Sequence, residues 1–130
     1  MTIQYRVAKD VAGLAGLPAY FSDINYSVKT AANTEATVNV PSSAPMGALP
    51  SYAKNKFLAE FVVIPTTADV WVALNNTATV PAGSTFAATN SELLPAFPST
   101  KIVEEGDVLH FISSAANANV SVKFYAINGD

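Results

Sequence analysis

Apolar and polar residues alternate over several short segments of this chain, which predicts β-strands. Residues 108–112 form one predicted strand, which follows the turn sequence Glu105-Gly106-Asp107. The clearest alternation follows it in residues 120–127, whose two faces carry Val120, Val122, Phe124 and Ala126 on one side and Ser121, Lys123, Tyr125 and Ile127 on the other. We expect these two strands to form an antiparallel hairpin and to be neighbours in one sheet.

Three upstream segments also have strand character. Residues 57–64 are almost continuously apolar, interrupted by Glu60 and ended by Pro65, which is typical of a central strand in a two-layer fold. Residues 24–28 and 34–40 alternate with period two, and we expect them to form an outer pair.

Residues 69–74 predict another strand with two distinct faces. These faces carry Val70, Val72 and Leu74 on one side and Trp71 and Ala73 on the other. The dipeptide Asn75-Asn76 then predicts a turn, because asparagine tolerates a positive φ angle.

The spacing of these strands predicts an all-β protein. Helical periodicity is confined to residues 7–17, where two glycines and the following Pro18 limit it to about two turns. Proline-containing loops occupy residues 41–51 and 94–100. Short strands separated by proline, glycine and asparagine are typical of an antiparallel two-layer β-sandwich or jelly roll.

The chain has the length of a single domain, residues 1–130, with residues 1–23 as a short N-terminal arm and residues 24–130 as the β-sandwich. A chain of this length buries enough surface to fold without disulfides or metals. The predicted core takes one face from each of the strongest strands, namely Val70, Val72, Leu74, Leu109, Phe111, Val120, Val122 and Phe124.

The composition argues against nucleic-acid and membrane partners. Half of the residues are hydrophobic, 13% are charged and the net charge is -3, so there is no basic stripe for a polyanion. Every apolar run is interrupted before the roughly 18–20 residues needed to span a bilayer. The N-terminus lacks the features of a secretory signal, and we expect the protein to stay in the cytoplasm where it is made.

The scarcity of cysteine and histidine limits the chemistry. With no cysteine and one histidine, the sequence offers no disulfide, no thiolate nucleophile and no metal centre built from several imidazoles. The glycines are dispersed and form no phosphate-binding loop. We therefore expect neither a cofactor nor a bound metal.

His110 is the one side chain with an ordinary pKa near neutrality, which makes it the first candidate for catalysis. Ser113 and Asp107 are close in sequence, but the chain contains no Gly-x-Ser-x-Gly nucleophile elbow. The flanks of His110 supply no carboxylate at a spacing that would orient the ring, so we interpret His110 as an ordinary strand residue and expect no catalytic residues. Replacing it by glutamine should leave assembly and binding unchanged between about pH 5 and 8.

Three other readings of the polar and aromatic residues remain open. Glu104, Glu105 and Asp107 are oxygen ligands of the kind that calcium prefers, but their spacing favours a solvated turn. Spatially paired acids of a glycosidase are a remote alternative, with the candidates Glu35, Glu60, Asp69 and Glu92. Aromatic side chains can also stack on sugars, although a core or interface role is favoured for Trp71, Tyr5, Tyr20, Tyr26, Tyr52 and Tyr125.

Residues 82–97 carry apolar side chains among small polar residues and almost no charge. Such a segment either caps a core or contacts another subunit. We take the second interpretation as the candidate protein–protein interface and assign it to Phe86, Leu93, Leu94 and Phe97. A charge-poor chain must hide its surplus apolar surface, so we expect a homo-oligomer.

Four motifs in residues 71–125 resemble small virion structural proteins of tailed bacteriophages. The motifs are WVALNNTATVP at 71–81, SELLP at 91–95, EGDVLHFIS at 105–113 and VSVKFY at 120–125. The resemblance implies a compact β-sandwich that decorates or cements a capsid, or sits in a neck or fibre.

Two functions from different classes follow. The first is a non-enzymatic capsid decoration or cement protein, for which the resemblance implies contacts with the major capsid protein, a homotrimer at a local threefold, and a place in the virion after assembly in the host cytoplasm. The second is a carbohydrate- or receptor-binding module of a phage fibre or neck. Buried aromatic residues would favour the first, and aromatic residues in a concave groove with polar donors would favour the second.

Overall fold

The computed structural model describes residues 24–42, 55–64 and 68–127, and these form two four-stranded antiparallel sheets. The strands in chain order are β1 (Ile24–Lys29), β2 (Ala36–Asn39), β3 (Lys56–Ile64), β4 (Val70–Leu74), β5 (Ser91–Leu93), β6 (Ser99–Glu104), β7 (Val108–Ser113) and β8 (Asn119–Ile127). The described part of the chain contains no helix, so none is long and apolar enough to cross a membrane. The predicted helix at 7–17 and the N-terminal arm lie outside these residues.

The strand order is that of a jelly roll. Strand β1 pairs with β8, β2 with β7, β3 with β6 and β4 with β5, as in one long antiparallel ribbon folded on itself. Two further pairings, β3 with β8 and β4 with β7, join the ribbon into the sheets β1-β8-β3-β6 and β2-β7-β4-β5. This arrangement confirms the predicted antiparallel sandwich and selects the jelly roll among its variants.

The inner faces of the two sheets form one hydrophobic core. Phe61 on β3 and Phe111 on β7 meet edge to face across the sandwich, with ring centroids 6.0 Å apart. Phe124 packs against Phe57 in the same sheet, and both are fully buried. Phe57 and Phe61 belong to β3, which lies between β8 and β6 and is the central strand predicted for residues 57–64.

The predicted core is confirmed at every position except Leu74. Leu74 points to the inner face, opposite Leu109, but 45% of it is exposed because it is the last residue of β4. Asn75 follows with a φ angle of 56°, which confirms the predicted turn.

The expected hairpin between residues 108–112 and 120–127 is wrong, because β7 and β8 belong to different sheets. The segment between them crosses from one sheet to the other, with Asn117 at a φ angle of 68° and Ala118 fully buried. Thr30 holds this crossing: its N–H donates to Ala118 O at 2.9 Å and its Oγ1 donates to Ala115 O at 2.9 Å. Alternation alone does not distinguish a hairpin from such a corner.

The expected pairing of residues 24–28 with 34–40 is also wrong. Both strands are outer strands, but β1 is the edge of one sheet and β2 is the edge of the other. The turn between them contains Asn33 at a φ angle of 52°, whose N–H donates to Ser113 O at 2.8 Å. This turn therefore carries the chain between the sheets rather than back along one of them.

Candidate functional site

The connection from β4 to β5, residues 75–90, is longer than the connections of about 2–6 residues that are common in compact domains. Asn75 fixes its beginning to the start of β7, donating from Nδ2 to Asp107 Oδ1 at 3.0 Å and accepting from the Val108 N–H at 2.8 Å. We call residues 75–90 the β4–β5 loop.

Glu35, directly before β2, fixes the next part of the loop. Its Oε1 lies 2.7 Å from His110 Nδ1, and its Oε2 accepts the Ala78 N–H at 2.7 Å. The Thr79 N–H donates to Ser91 Oγ at 2.9 Å, which ties the same part of the loop to β5. One carboxylate thus connects the entry to β2, strand β7 and the loop, and Ala78 is buried beneath it.

The hydrogen bond from His110 lowers the pKa of Glu35 below its ordinary value, with a smaller contribution from the Ala78 N–H and in spite of partial burial. The carboxylate is therefore ionised in the folded protein at neutral pH. The carboxylate beside His110 comes from residue 35, far away in the chain, and not from the sequence flanks of the histidine.

The pair formed by His110 and Glu35 does not include Ser113, which lies close to His110 in the sequence. His110 points to the outer face of its sheet, whereas Ser113 points to the inner face opposite Val70 and is fully buried. Both oxygens of Glu35 are engaged, one with the imidazole and one with the backbone of the loop. The arrangement holds the loop in place, which is a structural role for His110.

The acidic turn at residues 104–107 also uses its carboxylates to hold the backbone. Gly106 has a φ angle of 87°, as a tight turn requires, and Asp107 Oδ2 accepts the Glu104 N–H at 2.9 Å. Glu105 Oε1 accepts the Asn55 N–H at 3.0 Å. Within the described residues, no group of three histidine, aspartate or glutamate side chains is placed to hold a metal ion.

An apolar row crosses the outer face of the β2-β7-β4-β5 sheet. Trp71 on β4 lies opposite Leu93 on β5 and opposite Ile112 on β7, so the three side chains are neighbours on one face. Leu93 is 49% exposed, and Trp71 and Ile112 are partly exposed. We call these three residues the apolar strip.

The four predicted interface residues do not all lie at the surface. Phe86 in the β4–β5 loop is fully exposed, and Phe97 in the connection to β6 and Leu93 are also exposed. Leu94 is buried in the core, where its N–H donates to Val70 O at 2.9 Å. The structure therefore keeps Phe86, Leu93 and Phe97 as surface candidates and assigns Leu94 to the fold.

The remaining aromatic candidates are dispersed. Tyr125 is buried, and Tyr26 lies at the β1 edge, where its ring packs edge to face on Phe124 at 6.0 Å. Tyr5, Tyr20 and Tyr52 lie outside the described residues. Comparison of the chain with protein-family models, curated proteins and solved structures gave no match.

Proposed function

We propose that the protein is a non-enzymatic structural protein of a bacteriophage particle, most directly a decoration or cement protein that binds across major capsid subunits. The observation that carries the proposal is the apolar strip, in which Trp71, Leu93 and Ile112 are neighbours on one face of three adjacent strands. The proposal also uses the resemblance of residues 71–125 to phage virion proteins. Jelly rolls are common in viral capsids, which supports the proposal as an analogy of fold.

An apolar strip on the outer face of a sheet is suited to contact with another protein. Burial of apolar area stabilises such a contact by about 25 cal/mol per Å², and aromatic side chains contribute strongly at the centre of interfaces. One strip is small, but a particle presents many equivalent sites, so that weak contacts act together when copies of the protein are linked. We therefore propose that this surface binds major capsid subunits, which repeat around local symmetry axes.

The alternative function is a carbohydrate- or receptor-binding module of a fibre or neck, and the exposure of Trp71 is the observation that favours it. Sugar recognition combines an aromatic face with polar groups that bind the hydroxyls. The neighbours of Trp71 in the strip, Leu93 and Ile112, are aliphatic. This environment supports a protein partner over a sugar.

Co-sedimentation with capsid shells of the encoding phage, assembled without this protein, tests the proposal. Leu93→Lys places a charge in the strip and should weaken binding by about tenfold or more, because burying the ammonium group costs free energy. Ile102→Lys is the matched control, since Ile102 is exposed on the other sheet and its variant should bind like the wild type. Failure of the wild type to bind shells, or equal binding by Leu93→Lys, would contradict the proposal, and binding to a glycan array instead would favour the alternative.

A further inference from the structure

A slot opens into the core between the two edge strands β1 and β2. It is lined by the buried Phe111, Val120 and Val122, by the more exposed Tyr26, Val28, Ala36 and Val38, and by the polar residues Ser27 and Thr37. Its volume is about 160 Å³. A cavity of about 150 Å³ lined by apolar side chains is large enough to bind benzene.

Two of the residues that line the slot lie on the inner face of their sheet and are nevertheless exposed. Tyr26 and Val28 lie opposite Val122 and Val120, and therefore on the core side of their sheet, yet they are 45% and 38% exposed. The opposite side of the sandwich is different, because Lys101 on β6 and Glu92 on β5 form an ion pair of 2.6 Å across it. Thus an ion pair joins the two sheets on the β5/β6 side, whereas the exposed apolar side chains Tyr26 and Val28 lie on the β1/β2 side.

The same chain carries a side chain that matches the slot in size and chemistry. Phe86 is fully exposed, so it does not fill the slot of its own molecule. It lies in the β4–β5 loop, residues 75–90, which contains no charged residue. The loop can therefore enter an apolar site without removing a charge from water, and Glu35 and Asn75 hold its base in place before contact.

We propose that the Phe86 ring of one copy inserts into the β1/β2 slot of a second copy. The inserted phenyl group meets the Tyr26 ring and the valines that line the slot, and it covers apolar surface that is otherwise exposed to water. Every copy has both the ring and the slot, so two copies can exchange rings about a twofold axis, or copies can repeat the contact head to tail. Such heterologous contacts form closed rings when the rotation between copies closes, and a threefold ring is the smallest one above a dimer. The proposal does not rest on the capsid-binding role, because the slot lies between β1 and β2, apart from the strip on β4, β5 and β7.

The test measures the mass of the full-length protein by light scattering, with circular dichroism to confirm that each variant is folded. The wild type should form a discrete oligomer, whereas Phe86→Ser and Val28→Lys should each fall to the mass of one chain, 13.6 kDa. Phe97→Ser and Ile102→Lys are the matched controls, since they change exposed apolar residues outside the slot and the loop and should keep the wild-type mass.

A mixture of Phe86→Ser with Val28→Lys tests directly whether the ring of one copy enters the slot of another. The first variant retains an intact slot and the second retains an intact Phe86, so native mass spectrometry of the mixture should show a species with one chain of each. A monomeric wild type, a Val28→Lys variant of unchanged mass, or a mixture without the mixed species would overturn the proposal. Loss of the oligomer in Val28→Lys but not in Phe86→Ser would also overturn it, because another segment would then occupy the slot. Capsid binding by a monomeric variant would leave the proposed function standing.

Discussion

At the scale of single residues, Phe124 provides the most direct test of the core. It is fully buried and lies in contact with the rings of Phe57 and Tyr26. Phe124→Ala should lower the free energy of unfolding by about 3–5 kcal/mol, because it removes apolar contacts and leaves a cavity. Urea unfolding measures the change. Ile102→Ala, at an exposed site, should alter stability by less than about 0.5 kcal/mol, and similar costs for the two variants would contradict the assignment of the inner face.

Glu35 has a role that pH titration can test. Because His110 lowers the pKa of Glu35 in the folded state, the ionised carboxylate stabilises the fold above the ordinary pKa of a glutamate. That stability is lost as the pH falls below the ordinary pKa of a glutamate and through the lowered pKa of Glu35. Glu35→Gln should therefore be less stable than the wild type at neutral pH, and the difference should shrink in strong acid.

Urea unfolding at a series of pH values measures the effect of Glu35. His110→Gln should reproduce part of the loss at neutral pH, since it removes one partner of the carboxylate, while leaving capsid binding by the strip unchanged. A stability difference between wild type and Glu35→Gln that does not change on acidification would contradict the assigned pKa shift.

The sequence predicts only some of the residues of the candidate site. Phe86, Leu93 and Phe97 stand out as apolar residues in a charge-poor segment, and the structure exposes all three. The partnership of Glu35 with His110 depends on the pairing of β2 with β7, which brings together residues far apart in the chain. The available signal was that Glu35 directly precedes an alternating strand, and it becomes informative only once the strand order is known.

At the scale of elements, alternation and apolar content identify six of the eight strands and miss β5 and β6. Strands β3, β4, β7 and β8 follow the predicted segments closely. Strand β5 is only Ser91–Leu93, and strand β6 has the mixed sequence STKIVE at a sheet edge, where one side of the strand has no neighbour to enforce a pattern. Tertiary pairing with β4 and β3 stabilises these two strands, and local sequence does not reveal it.

The β6–β7 turn depends on a glycine, and two matched substitutions test this. Gly106 has a φ angle of 87° and open space around it, so Gly106→Ala should cost about 1 kcal/mol through backbone strain alone. Gly83 has no positive φ angle, and a Cβ atom added there would lie 4.0 Å from its nearest neighbour, Thr85 N. Gly83→Ala should therefore be neutral or stabilising by less than about 1 kcal/mol. Thermal unfolding compares the two, and equal effects would contradict the assigned turn.

At the scale of the whole molecule, the two-layer fold follows from strand patterns, whereas the strand order does not. The expected hairpin of residues 108–112 with 120–127 is replaced by a corner in which Thr30 holds the crossing segment. This difference matters for function, because the observed order places the apolar strip on one outer face and the slot between the edges β1 and β2. The strip and the slot therefore lie on different parts of the molecule.

A cryo-electron microscopy map of phage particles assembled with this protein is the most direct test of the proposed capsid role. If the protein decorates a capsid as proposed, density for this jelly roll lies on the capsid shell. The β2-β7-β4-β5 sheet then faces the major capsid subunits, with Trp71, Leu93 and Ile112 at the contact. Density confined to the neck or a fibre, or a capsid contact made by the other sheet, would contradict it.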